Sequence, residues 1–498
     1  MMHAEQYLDR HTLILVSNRE PYEHVAAPQG TDVRSPAGGL VSALDPIMQR
    51  TDGTWVAWGS GSRDRATTDR EGHVRVPPEA PAYTLRRVWL DAADVDGYYL
   101  GFANSVLWPM CHLLVQHLDF HVEHWERYKA VNDNFAKAVC EEVERVERDT
   151  EKTPSIWFHD YQLALAPGRV RAVCPGIFMH HFWHIPFPPP DIFGLIPVGA
   201  PELLLRGVLG NDLVEFQTER AARNFLDCVD QFVPDALVDR DGRTIRYDQR
   251  TISVGVFPIS IDVAEYARLA DLPEARAQAD ALRSRYACNG RQLGVSVDRV
   301  DYTKGIPERL RALEHLWEQH PDLRERFTML FIATPSRREL DAYRALEDEV
   351  LRRIMELNER FRTDDWTPIV LIHENVDANL LAAVYRAADF CVVSSLQDGM
   401  NLVAKEFLAC QLDERGVLVL SRFAGAATEI DEALFINPFN TGGVADAICH
   451  ALQMPLDERR ERMQSMRKQL SHATVVDWLD AILCHAGALQ TSLAGEHA

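Results

Sequence analysis

Two successive series of short apolar runs, each alternating with amphipathic stretches, restrict this chain to one broad architecture. In the first series, residues 12–18 (TLILVSN), 155–159 (SIWFH), 176–180 (GIFMH) and 213–216 (LVEF) read as buried strands, and 125–148 and 219–232 as helices. The second series begins near Gly294, with strands expected at 293–297, 328–332, 369–372, 390–393 and 417–420. Its helices are expected at 307–320, 337–361, 379–387, 402–412 and 444–454. Apolar runs without a polar alternation mark strands covered on both faces, the pattern of parallel sheets with helical crossovers. The break between the series falls near the segment FPISID, 257–262. The fold expected is α/β: two doubly wound domains facing each other across a cleft, 1–257 and 258–470, with a helical tail, 471–498, packing back on the first. In such sheets ligands bind beyond the carboxyl ends of the strands, so the residues that follow each apolar run carry the functional argument.

Length and composition bound the function classes. A chain of 498 residues exceeds one ordinary core. A net charge of −22 argues against a broad nucleic-acid or anionic-membrane surface, both of which favour basic patches. It leaves room for a local cationic pocket. The nine cysteines are scattered, with no Cys-x-x-Cys pair, which suits reduced thiols in a cytoplasmic protein better than a disulfide framework or a cysteine metal site. Residues 1–10 are polar and lack the apolar core of a signal peptide. No apolar run approaches the roughly 20 residues that span a bilayer. The expectation is a cytoplasmic protein without membrane or nucleic-acid partners, with homo-oligomerisation left open.

The run 297–305 (VDRVDYTKG) places two cations, Arg299 and Lys304, where a strand ends and a helix follows. Fixed positive charge at that junction suits a diphosphate and can neutralise charge that grows on a departing phosphate. The segment 398–406 (DGMNLVAKE) follows the strand 390–393. Gly399 permits a tight turn, Asn401 can cap a helix that begins at Leu402, and the backbone N–H groups there can bind phosphate oxygens. Asp398 is placed for sugar hydroxyls and Glu406 for a vicinal ribose diol. The plain alternative is a capped helix with one acidic residue on a solvated face. His184, in the proline-rich segment FWHIPFPPP, is expected to be a neutral imidazole facing a sugar hydroxyl, or else a packed histidine. Asp160, after the strand 155–159, can orient an acceptor hydroxyl or act as a weak base, or simply cap the next helix. Tyr99 and Trp108 lie in an oddly spaced aromatic stretch, suited to a sugar-stacking wall or to the core. Arg19 and Arg337 are further strand-end cations fit to grip a phosphate, and the glycine pair before Leu40 allows close backbone approach.

Taken in order, the segments SNR, AGGL, WFHDYQL, HIPFP, DRVDYTKGIPERL, DGMNLVAKEF and GVLVLSRFAGAATE resemble the trehalose-6-phosphate synthase family of retaining glycosyltransferases. The resemblance runs from about Thr12 to about Leu470. It implies the GT-B architecture of two facing Rossmann-like domains. It implies transfer of glucose from a nucleotide-glucose substrate to glucose 6-phosphate, with no cofactor and no metal, in trehalose biosynthesis and osmoprotection. By position it implies catalytic roles for Arg299, Lys304, His184 and Asp160. Donor contacts are implied for Gly39, Asp398, Asn401, Leu402 and Glu406, and acceptor contacts for Arg19, Trp58, Tyr99, Trp108 and Arg337.

Three departures bear on the substrates. The segment 19–36 is long, and its opening, REPY, also resembles glucosylglycerol-phosphate synthases, whose acceptor is glycerol 3-phosphate. Gln397 stands where the family usually has arginine, and Gln162 where many members have histidine. Glucose 6-phosphate is the expected acceptor and glycerol 3-phosphate the alternative. A non-catalytic sugar-phosphate sensor on the same fold is the alternative from another class. A nicotinamide dehydrogenase is disfavoured, because no Gly-x-Gly-x-x-Gly follows the first strand. UDP, GDP and ADP donors stay unseparated at this level.

Overall fold

The computed structural model describes residues 2–28, 30–35, 39–197 and 199–496. Its contacts divide into two compact units, Met1–Pro258 with Val476–Ala498, and Ile259–Val475.

The first unit is built on a ten-stranded sheet. Across it run Leu237–Asp239, Thr244–Tyr247, Arg250–Val256, Leu213–Phe216, Phe178–Trp183, Thr153–His159, His11–Arg19, Thr54–Trp58, Tyr83–Val88 and His73–Val76. The seven inner strands are parallel, and both edges are finished by antiparallel pairs. The central strand His11–Arg19 is buried from Thr12 to Asn18, which is why its sequence is apolar without alternation. Strand order reverses between His11–Arg19 and Thr153–His159, which pair directly. In a doubly wound sheet that reversal opens a crevice at the carboxyl ends; Arg19 and Asp160 stand on either side of it.

The second unit holds six parallel strands in the order Ile369–Ile372, Phe327–Thr334, Gln292–Arg299, Phe390–Val393, Val417–Ser421, Leu434–Ile436. Numbered within the unit, this is 3-2-1-4-5-6, the order of a dinucleotide-type sheet. Its reversal lies between Gln292–Arg299 and Phe390–Val393, so the segments carrying Arg299, Lys304 and Asp398 leave the sheet at the crevice.

Local departures from the sequence reading have physical causes. The stretch 19–36, expected as a loop, contains an antiparallel hairpin, Glu23–Ala27 with Gly30–Arg34. Its second strand is largely exposed and carries little apolar signal. The hairpin is tied down at His24, whose Nδ1 meets wholly buried Arg87 at 2.8 Å and whose N–H donates to Asp64 at 2.8 Å; Arg87 in turn pairs with Glu20 and Asp64. Most of the oddly spaced aromatics belong to a π-helix, Val95–Leu107, whose wider turn no 3.6-residue period can reveal, and Trp108 opens the short helix that follows, Trp108–Cys111. The expected helix 337–361 starts only at Asp341, leaving Arg337 in the preceding loop at φ 45°. The strand expected at 176–180 runs Phe178–Trp183. The helix Leu456–Ser471 lies in the second unit, where buried Arg459 donates to the carbonyls of Met454, Ala451 and Asp389. The helix Val475–Glu496 belongs, from Val476, to the first.

Candidate active site

In the second unit the strand Gln292–Arg299 runs into a short 3-10 turn, Tyr302–Lys304, and then the helix Ile306–Gln319. Gly305 joins them in the left-handed conformation, φ 63° and ψ 35°. A Cβ there would lie 2.2 Å from the Ser394 carbonyl oxygen, so only glycine lets this turn pack against the next strand. Lys304 points its ammonium at Asp398, Nζ to Oδ2 2.6 Å. The same oxygen accepts from Ser395 Oγ and Asn401 Nδ2, both at 3.1 Å. Asn401, not Gly399, supplies the positive φ of its segment, at 76°. Its side-chain oxygen accepts from the Ala404 N–H, capping the helix Leu402–Cys410. Two helix N-termini and two cations thus meet one crevice, the arrangement that favours phosphate oxygens.

Glu406, one turn into that helix, is not a solvated acid. Its two oxygens accept from the hydroxyls of Tyr266 and Tyr385 at 3.0 and 2.8 Å. Burial pushes its carboxyl upward, and the two phenol hydrogen bonds oppose that push. Arg337 is 8% exposed at its side chain and pairs with buried Asp301 at 3.1 Å; the Tyr343 hydroxyl joins both. Despite burial, Arg337 and Arg299 with other neighbours hold the Asp301 carboxyl down at about 2. Asp298 is committed to Arg309 at 2.6 Å. Gln397 lies half-buried beside Asp398.

In the first unit, parallel register sets the functional side chains along one sheet edge. Arg19 is paired with Trp58, His159 with Phe182, and Trp183 with Phe216. Read across adjacent strands, the carboxyl ends present Trp58, Arg19, Asp160, His184 and Gln217. Asp160 sits at φ 69°, ψ 176°, a region that residues other than glycine avoid. It caps no helix. Instead its backbone is held by the Phe182 carbonyl at 2.8 Å, and its Oδ1 accepts from the His184 N–H at 3.2 Å. His184 lies between two partners, His159 Nδ1 at its Nε2 (3.0 Å) and Gln217 Nε2 at its Nδ1 (3.3 Å). Burial lowers His184 to about 3, so the ring is neutral at working pH.

The π-helix brings the aromatic residues to this edge. Gly97 and Gly101 let it lie against the helix Val122–Asp149; a Cβ on either would collide with Arg127 or His124. Tyr98 donates to Asn18 Oδ1 at 2.9 Å, tying the π-helix to the end of the central strand. The neighbouring Tyr99 ring packs 5.8 Å from Trp58. Trp108 is 6% exposed, its ring tilted against those of His112 and Tyr161 at 4.2 and 5.8 Å. Gly39 opens the helix Gly39–Met48, while residues 36–38 of the glycine segment lie outside the described residues. Gln162 contributes its carbonyl to Asn132 at 3.1 Å. No cluster of three or more histidine, cysteine or acidic side chains placed for a metal occurs among the described residues, and no helix among them is long and apolar enough to cross a membrane.

Residues 299, 304, 398, 401, 402 and 406 thus gather in the second unit, and 19, 58, 99, 160 and 184 along one edge of the first. The partners that orient them escaped the sequence reading. Tyr266, Tyr343, Tyr385 and Gln217 carry no motif of their own and stand far in sequence from the groups they hold, Tyr343 excepted, which is six residues from Arg337, while His159 lies inside WFHDYQL with no role assigned to it there.

Comparison with known proteins agrees with this geometry. The model of glycosyltransferase family 20 matches residues 11–486. A trehalose-6-phosphate synthase of Mycolicibacterium gilvum is 37% identical over 478 residues, 94% of this chain and 92% of that protein. Among solved structures, an α,α-trehalose-phosphate synthase (UDP-forming) from Burkholderia xenovorans in complex with glucose-6-phosphate superposes with a TM-score of 0.82. It is 34% identical and covers 96% of this chain and 100% of its own. The E. coli protein bound with UDP-2-fluoro glucose gives 0.81 at 31% identity, covering 95% and 98%. These neighbours are GT-B enzymes, and the two parallel-sheet Rossmann-like units described above have that fold. With a family match over nearly its whole length and relatives above 30% identity, the chain belongs to glycosyltransferase family 20 and is a glycosyltransferase.

Proposed function

We propose that this enzyme is a retaining glucosyltransferase that moves glucose from a nucleotide-glucose donor to glucose 6-phosphate, making α,α-trehalose 6-phosphate. The observation that carries the proposal is the pair Arg299 and Lys304 at the chain reversal of the second sheet, followed by left-handed Gly305 and a helix N-terminus. That is a site for a leaving diphosphate. The glucose-6-phosphate in the Burkholderia xenovorans neighbour and the UDP-2-fluoro glucose in the E. coli neighbour support the two substrate classes.

In this reading the donor diphosphate replaces Asp398 as the partner of Lys304, freeing that carboxylate for sugar hydroxyls. Glu406 takes the ribose, and Leu402 and its cap Asn401 present N–H groups to phosphate. Arg19, Trp58, Tyr99, Trp108 and Arg337 serve the acceptor and its phosphate, and Asp160 orients the attacking hydroxyl. A double displacement needs a carboxylate nucleophile beneath the anomeric carbon. Asp298, Asp301 and Glu406 are each already engaged by a cation or by hydroxyl donors, and in this reading Asp398 is occupied by sugar hydroxyls. The chemistry that fits is front-face attack within an oxocarbenium-like ion pair, with the leaving phosphate oxygen taking the acceptor proton. Neutral His184 then contacts the transferred glucose and is no proton donor. Arg299 and Lys304 act chiefly in the transition state, on the charge of the leaving group.

The test is a matrix of UDP-, GDP- and ADP-glucose against glucose 6-phosphate and glycerol 3-phosphate, scored by product mass. A disaccharide phosphate is expected with glucose 6-phosphate. Product with glycerol 3-phosphate alone overturns the acceptor, and ligand binding without nucleotide release overturns catalysis.

A further inference from the structure

Three helices of the second unit, Val263–Asp271, Ala378–Ala387 and Leu402–Cys410, pack against one another and converge on one carboxyl group. Tyr266 comes from the first, Tyr385 from the second and Glu406 from the third. One phenol hydroxyl reaches each carboxylate oxygen, at 3.0 Å from Tyr266 and 2.8 Å from Tyr385. Tyr385 is fully buried with its ring edge-on to Phe407, so its hydroxyl is a fixed point. Burial also holds both phenols well above their ordinary range, which keeps them as donors. The thiols of Cys391 and Cys410, pushed up chiefly by burial with Glu406 adding to it, stay uncharged beside it.

A carboxylate oxygen has two acceptor directions. With one direction on each oxygen taken by a tyrosine, one on each remains, and the carboxylate plane cannot swing without losing a bond. Two acceptors a fixed distance apart match the two hydroxyls of a vicinal cis-diol. Without the phenols, a buried carboxylate would rotate, or take up a proton and lose an acceptor.

We propose that Tyr266 and Tyr385 are positioning residues that lock the Glu406 carboxylate in the orientation that reads the 2′- and 3′-hydroxyls of the donor ribose. The inference rests on the reading of Glu406 as the ribose-binding residue, and the experiment separates the two. Calorimetric affinities are compared for a nucleoside diphosphate and its 2′-deoxy counterpart, using whichever of UDP, GDP or ADP the parent binds. Glu406→Ala is expected to abolish the preference for the ribo form. Tyr266→Phe and Tyr385→Phe, which keep the ring packing, are each expected to weaken the ribo form about tenfold, the scale of one hydrogen bond to a charged group. The 2′-deoxy form should bind them as it binds the parent, and the double phenylalanine variant should bind both forms alike. If Glu406→Ala keeps the ribo preference, the ribose reading fails and the inference with it. If Glu406→Ala loses the preference while the double variant keeps it, the inference alone is overturned. Equal loss of both nucleotides in the phenylalanine variants overturns it too, because the tyrosines would then serve only the fold.

Discussion

Asp160 holds a backbone conformation that costs side chains roughly 1–3 kcal/mol, and it does so at the crevice of the first sheet. Strain persists at such a place when the side chain is needed there. Asp160→Gly is therefore expected to fold at least as stably as the parent, gaining up to about 1 kcal/mol after the lost His184 contact and the freer unfolded glycine are set against the relief. Turnover should fall at least tenfold, on the order expected when a group that orients the attacking hydroxyl is removed. Denaturant titration beside initial rates decides it; a variant that is both unstable and inactive would mean a structural role only. Lys304 makes the opposite case, a side chain in an ordinary conformation whose charge matters. Lys304→Ala should lower turnover by about 10²-fold, the scale of one charge-stabilising donor, and activity within threefold of the parent would reject its role. Both positions were legible as candidates in the sequence, Asp160 because it follows directly on an apolar run and Lys304 because it lies with Arg299 where a strand gives way to a helix. The strain at Asp160 was not, since φ depends on the Phe182 carbonyl and on His181, residues of the neighbouring strand.

At the scale of elements, the strands Thr153–His159 and Phe178–Trp183 together with the residue after the second bring His159, His181 and His184 to one edge. Burial lowers all three, His181 to about 4 and His184 to about 3. In the unfolded chain they take up protons near pH 6.5; the folded chain takes them up only at lower pH. The folded state thus has its full advantage above about pH 6.5 and loses it as pH falls from there, by up to about 1.4 kcal/mol per pH unit per histidine. His181→Gln should flatten the acid side of the stability profile by close to one proton, measured by urea unfolding between pH 7 and 5. An unchanged slope would show that His181 charges freely in the fold. The apolar pattern marked these strands and most helices to within a few residues. It could not mark the π-helix, whose periodicity differs from 3.6, or the exposed hairpin between Glu23 and Arg34, which has little apolar face to display.

Over the whole molecule, the chain closes its first unit with its last helix. Trp478, 4% exposed, donates its indole N–H to the Phe257 carbonyl at 3.1 Å and packs within 5.5 Å of Trp157 and 5.3 Å of Phe182. Trp478→Ala should destabilise the unit formed by residues 1–258 by about 3–5 kcal/mol, the usual cost of deleting a buried indole. Denaturation followed by tryptophan fluorescence is the check, and a loss below about 1 kcal/mol would mean the last helix is only loosely attached. The amino-acid sequence by itself determined the class of the fold, the presence of its two large sheets and the strand ends that carry Arg299, Lys304, Asp160 and Asp398, because burial periodicity and turn chemistry are local properties. Only the tertiary structure decided what each of those groups is held by: Asp398 on Lys304, Tyr266 and Tyr385 on Glu406, Asp301 on Arg337, Gln217 and His159 on His184. Those partners come from other strands and helices, and their meeting is a consequence of sheet order, which no local pattern encodes.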